Sequence, residues 1–384
     1  MKFGIITLFQ NYNYGATLQS YALQSTVKKT GVDVETIQYE RKAINTNENS
    51  KANKSLLTKI KNFVKRILFR REKHNKNSTV DDSARKKLFD NFIAENMKIS
   101  DKQYTKETIT EANNFYDAFI CGSDNIWNKN LFDSSFMLDF ANDDKRKIAY
   151  APGMSTDFLT EYQKELFIPP IKRLDYISCR ERIGSNLLEG ILSKKVPVVL
   201  DPTLLLEKSE WSSISKAPIA DLPSEYMFAY ICDHNALTDE KINELCSKVN
   251  LPVVLVPNMS GKFMLYGESE KIEIGNVGPA EFIYLIENSK MVLTDSFHGT
   301  VFACIFEKEF YCYRRFKDQE RIQLNYRIDN LLEILGISKK RIMSSPEDSY
   351  DFTHIDWESV RSKLLDKRKE SLCYLNFALQ GETK

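Results

Sequence analysis

The sequence predicts an α/β protein with two Rossmann-like domains and a central cleft between them, and three observations lead to this prediction. Short apolar runs alternate with amphipathic segments along the chain, which indicates parallel sheets covered by helices on both faces. The alternation occurs in two blocks, and Asp201-Pro202 interrupts it between them because proline restricts the residue before it. A length of 384 residues also fits two domains better than one.

The N-terminal domain is assigned to residues 1–200. Its predicted strands cover 3–9, 33–39, 115–124, 147–153, 175–180 and 196–200, and its predicted helices cover 16–30, 82–96, 159–173 and 181–191. The chain starts with one Lys and a short apolar run followed by polar residues, so we interpret this start as a buried strand and not as a signal peptide.

A basic segment interrupts this domain at residues 51–76. It contains ten Lys or Arg and a single Glu, which gives it a net charge of +9 against −8 for the rest of the chain. Its apolar residues recur at helical spacing, so a basic amphipathic helix is predicted. Two interpretations stay open: the helix contacts the anionic inner face of the membrane, or its apolar face packs on the first domain.

The C-terminal domain is assigned to residues 201–340, and a tail with one last helix follows at 341–384. The predicted strands cover 226–232, 252–257, 290–295 and 309–314, and the predicted helices cover 237–249, 279–288, 298–307, 321–336 and 355–380. In parallel sheets of this kind, ligands bind at the carboxyl ends of the strands. The segments at those ends are therefore the candidates for a functional site.

The composition excludes several classes of function. Lys and Arg number 54 against 53 Asp and Glu, so the formal net charge of +1 argues against a general nucleic-acid binder. No apolar run approaches the length of a membrane span. Seven scattered cysteines without a CxxC pair and only four histidines lead us to expect reduced thiols, a cytoplasmic protein and no metal site.

The first candidate segment joins the first predicted strand to the first helix and contains Asn11, Asn13, Gly15 and Gln19. A small loop with a glycine before a helix lets backbone amides approach an anion or a sugar hydroxyl. The segment lacks the three-glycine dinucleotide fingerprint, so NAD binding is rejected. A plain tight turn with an asparagine cap on the helix explains the same residues equally well.

The second candidate segment follows the third predicted strand of the first domain. In it, Gly122 allows a turn, Ser123 supplies a hydroxyl and Asp124 supplies a carboxylate. Trp127 adds an aromatic ring and Asn128 adds an amide. These groups offer the hydrogen bonds and the aromatic face that a sugar site needs. An Asx turn with a packing tryptophan is the alternative interpretation.

Two further segments carry Arg180 and His298. Arg180 lies where a predicted strand meets a helix N-terminus, and it can pair with a carboxylate or phosphate ligand or with a neighbour such as Glu181. Asp295 and Ser296 end another predicted strand, and His298 follows in the first turn of the next helix. A histidine in this position suits general acid–base work, although a single histidine is often structural.

In their order and spacing, these segments resemble the polysaccharide pyruvyl transferase family. The resemblance covers roughly residues 1–40 and 85–336. The motifs are Asn-Tyr-Gly-Ala-Thr-Leu-Gln-Ser-Tyr-Ala-Leu-Gln (13–24), Cys-Gly-Ser-Asp-Asn-Ile-Trp-Asn (121–128), Ser-Cys-Arg-Glu-Arg (178–182), Val-Leu-Asp-Pro-Thr-Leu-Leu-Leu (199–206), Thr-Asp-Ser-Phe-His-Gly-Thr-Val-Phe-Ala (294–303) and Tyr-Arg-Ile-Asp-Asn-Leu-Leu (326–332). The resemblance implies a fold similar to GT-B glycosyltransferases. It also implies a phosphoenolpyruvate donor, no separate cofactor, and a sugar acceptor converted into a cyclic ketal in surface polysaccharide biosynthesis.

The resemblance also implies roles for individual residues. His298 matches the histidine proposed as the catalytic acid of the family, and Arg180 matches an arginine that binds the donor. Some branches of the family have Arg two residues before the histidine, where this chain has Ser296. A donor-binding cation must therefore come from elsewhere, and the candidates are Arg314, Arg315, Arg321 and Arg327. Of these, Arg327 fits the late Arg-Ile pattern of the family best.

Two carboxylates complete the predicted site. Asp124 is the candidate to orient or deprotonate the sugar hydroxyl, and Asp295 is the candidate to orient His298. Two other functions are weighed beside pyruvyl transfer: a GT-B-type glycosyltransferase that uses a nucleotide sugar, and a carbohydrate-binding protein without catalysis. The expected partners are phosphoenolpyruvate and a sugar or lipid-linked acceptor. The sequence does not define the acceptor sugar or the oligomeric state.

Overall fold

The computed structural model describes residues 1–45, 82–267, 270–315 and 322–381, and the predicted basic helix at 51–76 lies outside them. In chain order, the strands of the first half are β1 (Lys2–Ile6), β2 (Asp33–Tyr39), β3 (Ile44–Asn45), β4 (Ile99–Tyr104), β5 (Ala118–Cys121), β6 (Leu131–Phe132), β7 (Arg146–Ala149) and β8 (Tyr176–Ile177). Six of them form a parallel sheet in the order β4-β2-β1-β5-β7-β8, while β3 and β6 pair antiparallel. The helices of this half are α1 (Tyr14–Lys29), α2 (Asp82–Asn96), α3 (Glu161–Lys172), α4 (Arg182–Leu192) and α5 (Lys208–Ser213).

The second half forms another six-stranded parallel sheet. Its strands are β9 (Met227–Tyr230), β10 (Val253–Leu255), β11 (Lys271–Glu273), β12 (Met291–Thr294), β13 (Glu309–Tyr313) and β14 (Ile342–Met343). They are arranged in the order β11-β10-β9-β12-β13-β14. The helices are α6 (Ala236–Lys248), α7 (Pro279–Glu287), α8 (Phe297–Ile305), α9 (Tyr326–Leu335) and α10 (Trp357–Gln380). The predicted class, two Rossmann-like α/β units, is confirmed.

Two helices begin at the cleft because a polar side chain caps each of them. The Asn13 side chain accepts a hydrogen bond from the Ala16 amide at 3.0 Å and starts α1. The Ser296 hydroxyl accepts one from the Gly299 amide at 3.4 Å and starts α8. Such caps satisfy amides that the helix leaves unpaired. Both N-termini follow central strands, so they lie at the carboxyl edges of the two sheets.

The two units are joined by aromatic packing and by the last helix. Tyr14 stacks on Phe282 with ring centroids 4.5 Å apart, and the Tyr14 hydroxyl donates a hydrogen bond to the Val277 carbonyl. Helix α10 returns to the first unit, where the Ser371 hydroxyl accepts a hydrogen bond from the Leu200 amide. In the described part of the chain, no helix combines the length and apolarity that crossing a membrane requires.

The structure differs from the predicted elements in a few places. Residues 196–200 were expected to form a strand, but they make only an isolated bridge between Cys179 and Val198, and Pro197 has no amide to donate to a ladder. Strand β4 escaped prediction because it is an edge strand with three exposed polar residues in the middle. Strand β14 pairs with β13, so the second sheet extends beyond residue 340.

Candidate active site

The carboxyl edges of the two sheets meet where α1 faces α8. A Cβ atom placed on Gly15 would lie 2.0 Å from Nδ1 of His298, so only a glycine allows this approach of the backbone to the imidazole. Gly15 belongs to the first unit and His298 to the second. The structure therefore brings two of the predicted site segments together across the interface between the units.

Asp201 lies at the centre of this meeting point. Its Oδ2 atom accepts hydrogen bonds from Arg180 Nη1 at 2.9 Å and from Ser123 Oγ at 3.3 Å, and it lies 3.5 Å from His298 Nε2. Its Oδ1 atom accepts from the backbone amide and the hydroxyl of Thr203. One completely buried carboxylate thus links the predicted donor-binding arginine to the predicted acid.

The electrostatic environment keeps Asp201 ionised. Burial alone would raise the pKa of this carboxyl group, but the neighbouring His298 and Arg180 outweigh burial and hold its pKa well below the ordinary range of an aspartate. Sequence reasoning gave Asp201 no role, although it belongs to the Val-Leu-Asp-Pro-Thr motif on which the resemblance partly rested. The Asp-Pro pair was interpreted only as a break between domains.

Two nitrogen atoms of the Arg180 guanidinium group make no hydrogen bond within the described residues. Its Nη1 atom bonds Asp201 and lies 4.0 Å from Asp124 Oδ1, and its Nε atom lies 3.6 Å from Glu181 Oε2. Its Nε and Nη2 atoms are buried, and the part of the chain that the structure describes offers them no hydrogen-bond partner. Burial lowers the pKa of Arg180, but Asp201, Glu181 and Asp124 together raise it above its ordinary value. Buried donors of this kind are costly unless a ligand or water satisfies them.

A second arginine approaches the same place from α9. The guanidinium carbons of Arg180 and Arg327 lie 4.7 Å and 5.9 Å from the centre of the Phe297 ring. The Arg327 Nε atom donates to the Leu324 carbonyl. Burial and the proximity of Arg180 lower the pKa of Arg327 to about 10. Both arginines line a narrow cavity with a volume of about 10 Å³ in this structure. Two neighbouring cations there favour an anionic ligand.

His298 occupies the first turn of α8, as predicted. Its side chain is almost completely buried, and among the described residues its Nε2 atom has no hydrogen-bond partner although it lies 3.5 Å from Asp201 Oδ2. Ser296 acts as the cap of the helix and leaves no cation two residues before the histidine. The imidazole thus lies beside the carboxylate that also binds Arg180, where a histidine can exchange a proton with a neighbouring ligand.

Asp295, the carboxylate predicted to orient His298, has its hydrogen bonds elsewhere. Its two carboxylate oxygens accept hydrogen bonds from the backbone amides of Cys232 and Asp233, at 2.6 Å and 3.1 Å. Burial raises the pKa of Asp295. The contacts of Asp295 therefore hold the loop after β9, and the carboxylate that the structure brings to the imidazole is Asp201.

The loop after β5 places Asp124 at the rim of the site. Asp124 has a left-handed backbone with a φ of 61°, and its Oδ1 atom accepts a hydrogen bond from the Asn125 amide at 2.8 Å. A Cβ on Gly122 would lie 2.0 Å from the Tyr150 carbonyl oxygen. Strained residues of this kind cluster at functional sites. Asp124 is near enough to Arg180 to contact a ligand that the arginine binds.

The other predicted residues have more structural contacts. The Gln19 side chain is buried and accepts a hydrogen bond from the Ser123 amide, which ties the loops after β1 and β5 together. Trp127 is completely buried, and its indole donates to the Phe136 carbonyl. Asn128 accepts from the Asn130 amide within its own loop. The Trp127 ring therefore packs in the core, and a sugar has no access to it in this structure.

The remaining residues of the prediction are distributed around the site. Asn11 is exposed after β1, while Asn13 caps α1. Arg314 donates a hydrogen bond to Asp329 at 2.6 Å, and Arg315 lies 4.0 Å from Asp295. Arg321 lies outside the described residues. Arg327 is thus the candidate that the structure places next to Arg180.

Comparisons with known proteins agree with this architecture. No curated protein matches the chain significantly. Similar solved structures include a UDP-GlcNAc 2-epimerase of Methanocaldococcus jannaschii in complex with UDP-GlcNAc and UDP (13% identity, 95% of this chain and 99% of the other covered, TM-score 0.42). Another is Arabidopsis thaliana UGT89C1 complexed with UDP-L-rhamnose (9% identity, 98% and 93% covered, TM-score 0.47). Because these TM-scores are below 0.5, the assignment of a GT-B-like fold rests on the two strand orders and the cleft described above.

The sequence model of the polysaccharide pyruvyl transferase family matches residues 13–315, most of the chain, and the protein therefore belongs to that family.

Proposed function

We propose that this protein transfers the pyruvyl group of phosphoenolpyruvate onto two hydroxyls of a sugar and forms a cyclic ketal. The single observation that carries the proposal is the group formed by Arg180, Arg327, Asp201 and His298 across the cleft. Phosphoenolpyruvate carries a carboxylate and a phosphate, and two neighbouring guanidinium groups suit these anions. The Nε and Nη2 atoms of Arg180, which make no hydrogen bond to the described residues, are the donors that such a ligand would satisfy.

The proposed reaction begins with protonation of the donor. His298 gives a proton to the methylene carbon, and the neighbouring carbon C2 becomes an electrophile of oxocarbenium character. The oxygen of one sugar hydroxyl forms a bond to C2, and its proton returns to the protein. The bond between C2 and the phosphate oxygen then breaks. The second hydroxyl adds to C2, and its proton leaves with the phosphate. Two C–O bonds form, one breaks, and nothing is oxidised or reduced.

The position of each residue indicates its role in the proposed reaction. Asp201 stays ionised beside His298 and stabilises the positive charge of the protonated imidazole. Arg180 and Arg327 hold the anionic groups of the donor while charge moves onto the leaving phosphate. Asp124, at the rim and on the first unit, orients the attacking hydroxyl or accepts its proton.

For the acceptor, we propose a sugar of a surface polysaccharide or of its lipid-linked precursor. Family membership supports a polysaccharide pathway. The polar residues around Asp124 lie on the first unit, opposite His298 and Arg327. We infer that the acceptor binds on this side and that the donor binds between Arg180 of the first unit and Arg327 of the second.

The proposal is tested by phosphate release from phosphoenolpyruvate in the presence of a panel of hexoses, hexose phosphates and lipid-linked saccharides, with product mass measured in parallel. The wild-type protein is expected to release phosphate only with an acceptor present, and His298→Asn is expected to lose this activity by about 10²–10⁴-fold. No phosphate release with any acceptor, together with a thermal shift caused by a nucleoside diphosphate, would favour glycosyl transfer instead.

A further inference from the structure

Arg85 is an arginine that the candidate site does not use, and it lies at the interface between the two units. It belongs to the first turn of α2, and its side chain is completely buried. Its Nη1 atom donates to the Tyr12 carbonyl at 3.3 Å, and its Nη2 atom donates to the Met259 carbonyl at 3.2 Å. Asp82 accepts two further hydrogen bonds from the same guanidinium group, at 2.9 and 3.2 Å.

The two carbonyl groups come from loops on opposite sides of the cleft. Tyr12 lies in the loop after β1 and has a left-handed backbone with a φ of 52°. Three residues further on, Gly15 is the backbone that touches His298. Met259 lies in the loop after β10, and its Sδ atom is 3.9 Å from the side-chain nitrogen of Asn13, the cap of α1. The guanidinium group thus joins the loop after β1, which leads to the glycine beside His298, to the second unit.

The second loop is shaped to allow this contact. Gly261 has a φ of +72°, and a Cβ atom placed on it would lie 3.0 Å from Asp82 Oδ1. The loop after β10 therefore approaches α2 closely through a glycine, in a conformation that other residues rarely adopt. Both the arginine and its carboxylate partner are involved in the contact with the second unit.

Stability alone does not explain a buried arginine at this place. Removing a guanidinium group from water is costly, and apolar side chains of similar volume often replace buried ions without loss of stability. The interface already has apolar contacts in the stack of Tyr14 on Phe282 and in Leu88 packed against Gly278. The planar guanidinium group instead fixes the relative positions of the two carbonyl groups that accept its hydrogen bonds.

We propose that Arg85 is a positioning residue that sets the closure of the cleft by locking the loop after β1 to the loop after β10. In this way it fixes the distance from His298 to the groups of the first unit. The effect on catalysis rests on the proposed function, whereas the effect on the arrangement of the two units does not.

The test compares the wild-type protein with Arg85→Met and Arg85→Lys. The radius of gyration from small-angle scattering, without any substrate, is expected to increase in Arg85→Met because the two loops are no longer joined. In phosphate-release assays, kcat is expected to fall by about 10²-fold, the typical cost of a 1 Å misplacement. The affinity for phosphoenolpyruvate is expected to fall less than kcat, because Arg180 and Arg327 both remain although their separation across the cleft changes. Arg85→Lys, which reaches one carbonyl at a time, is expected to fall between the two.

Arg173 provides a matched control. Its guanidinium group also donates to two backbone carbonyls, those of Asp139 and Ala141, and to the Asp143 carboxylate, but all of these partners lie in the first unit. Arg173→Met removes the same kind of contact without touching the cleft. Its scattering curve and its kcat are expected to match those of the wild-type protein.

If Arg85→Met does not fold, a second pair of variants decides the question. Gly261→Ala introduces a residue at a φ of +72° and a Cβ atom 3.0 Å from Asp82 Oδ1, so it disturbs the contact between the loop after β10 and α2. Gly31→Ala introduces a residue at a φ of +84°, where the described residues other than its chain neighbours place no atom within 4 Å. An increased radius of gyration in Gly261→Ala but not in Gly31→Ala supports the proposal. Unchanged scattering of Arg85→Met and Gly261→Ala overturns it, whether or not the wild-type protein transfers pyruvate.

Discussion

Two buried aspartates near His298 differ in what surrounds them. Asp201 faces Arg180 and the imidazole, and these groups hold its pKa well below the ordinary range. Asp295 is three residues from the histidine in the chain, but its oxygens accept hydrogen bonds from the backbone amides of Cys232 and Asp233, and burial raises its pKa. One carboxylate therefore belongs to the candidate chemistry, and the other holds a loop.

This difference teaches that closeness along the chain is a poor guide to the partner of a catalytic group. The strand before α8 ends by turning Asp295 towards β9, whereas Asp201 reaches the imidazole from the other side of the cleft. The account therefore predicts different consequences when each carboxylate is removed.

The largest effect is expected for Asp201→Asn. It leaves Arg180 and His298 without their anionic partner, and breaking a buried ion pair in this way typically costs about 3–5 kcal/mol of stability. Phosphate release is expected to fall by about 10²–10⁴-fold because the protonated imidazole loses its stabilising charge. Urea unfolding and the phosphate-release assay check the two effects.

Asp295→Asn is the matched comparison. It weakens hydrogen bonds to backbone amides, so we expect a loss of about 1–3 kcal/mol and a much smaller fall in activity. Equal losses of activity in the two variants, at equal stability, would contradict the distinction between the two carboxylates.

A smaller effect on catalysis is expected for Gly15→Ala. The new Cβ atom would lie 2.0 Å from His298 Nδ1, so the imidazole must leave its present position beside Asp201. We expect a fall in kcat of about 10²-fold. The control is Gly190→Ala in α4, where a Cβ atom would meet no atom of the described residues within 4 Å apart from its chain neighbours and its own helix backbone. This control is expected to gain about 0.5–1 kcal/mol of stability and to keep its activity. Full activity of Gly15→Ala would show that the position of the imidazole is not critical.

The pH dependence of stability distinguishes the two carboxylates by sign. The pKa of Asp201 is lowered in the folded protein, so its stabilising contribution is complete above about pH 4, near the unfolded value, and is lost as the pH falls further. The pKa of Asp295 is raised, so its contribution is present at low pH and is lost as the pH rises through the folded value.

Urea unfolding from about pH 7 down to about pH 3 measures both contributions. The stability difference between wild type and Asp201→Asn is expected to narrow only below about pH 4. For Asp295→Asn, the stability of the wild-type protein relative to the variant is expected to increase as the pH falls from neutral. Identical pH dependence in the two comparisons would count against the assignment.

The smallest effect is expected at Ser296, which lies between Asp295 and His298. Its contact is the cap of α8, so Ser296→Ala is expected to cost about 1 kcal/mol. The affinity for phosphoenolpyruvate is expected to stay unchanged, as measured by calorimetry. A large loss of affinity at full stability would instead assign Ser296 a role in substrate binding.

The alternation of strands and helices was readable in the sequence because buried parallel strands are apolar on both faces. The prediction therefore found β2 and α2 with their observed bounds. Strand β4 was missed because an edge strand has exposed polar residues that hide the apolar pattern. Such local patterns indicate which residues are buried, and the buried residues determine how the two sheets form.

The partners within the site were much less accessible to sequence reasoning. Asp201 has a local signature, the Asp-Pro pair, whose meaning depends on contacts with Arg180 and His298 that only the tertiary fold creates. Trp127 looked like a stacking platform because polar residues surround it in the sequence, but the chain turns its ring into the core. Arg85 gave no signal at all, because both of its carbonyl partners lie in distant loops.

The most direct test of the central claim is calorimetry with phosphoenolpyruvate alone, since it needs no knowledge of the acceptor. We expect saturable binding to the wild-type protein and to Arg173→Gln, whose arginine lies away from the cleft. Arg180→Gln is expected to bind at least about tenfold more weakly, and Arg327→Gln is also expected to bind more weakly, because each loses a charge-assisted contact of about 1.5–3 kcal/mol. Undetectable binding to the wild-type protein, or equal binding to Arg180→Gln, would contradict the account.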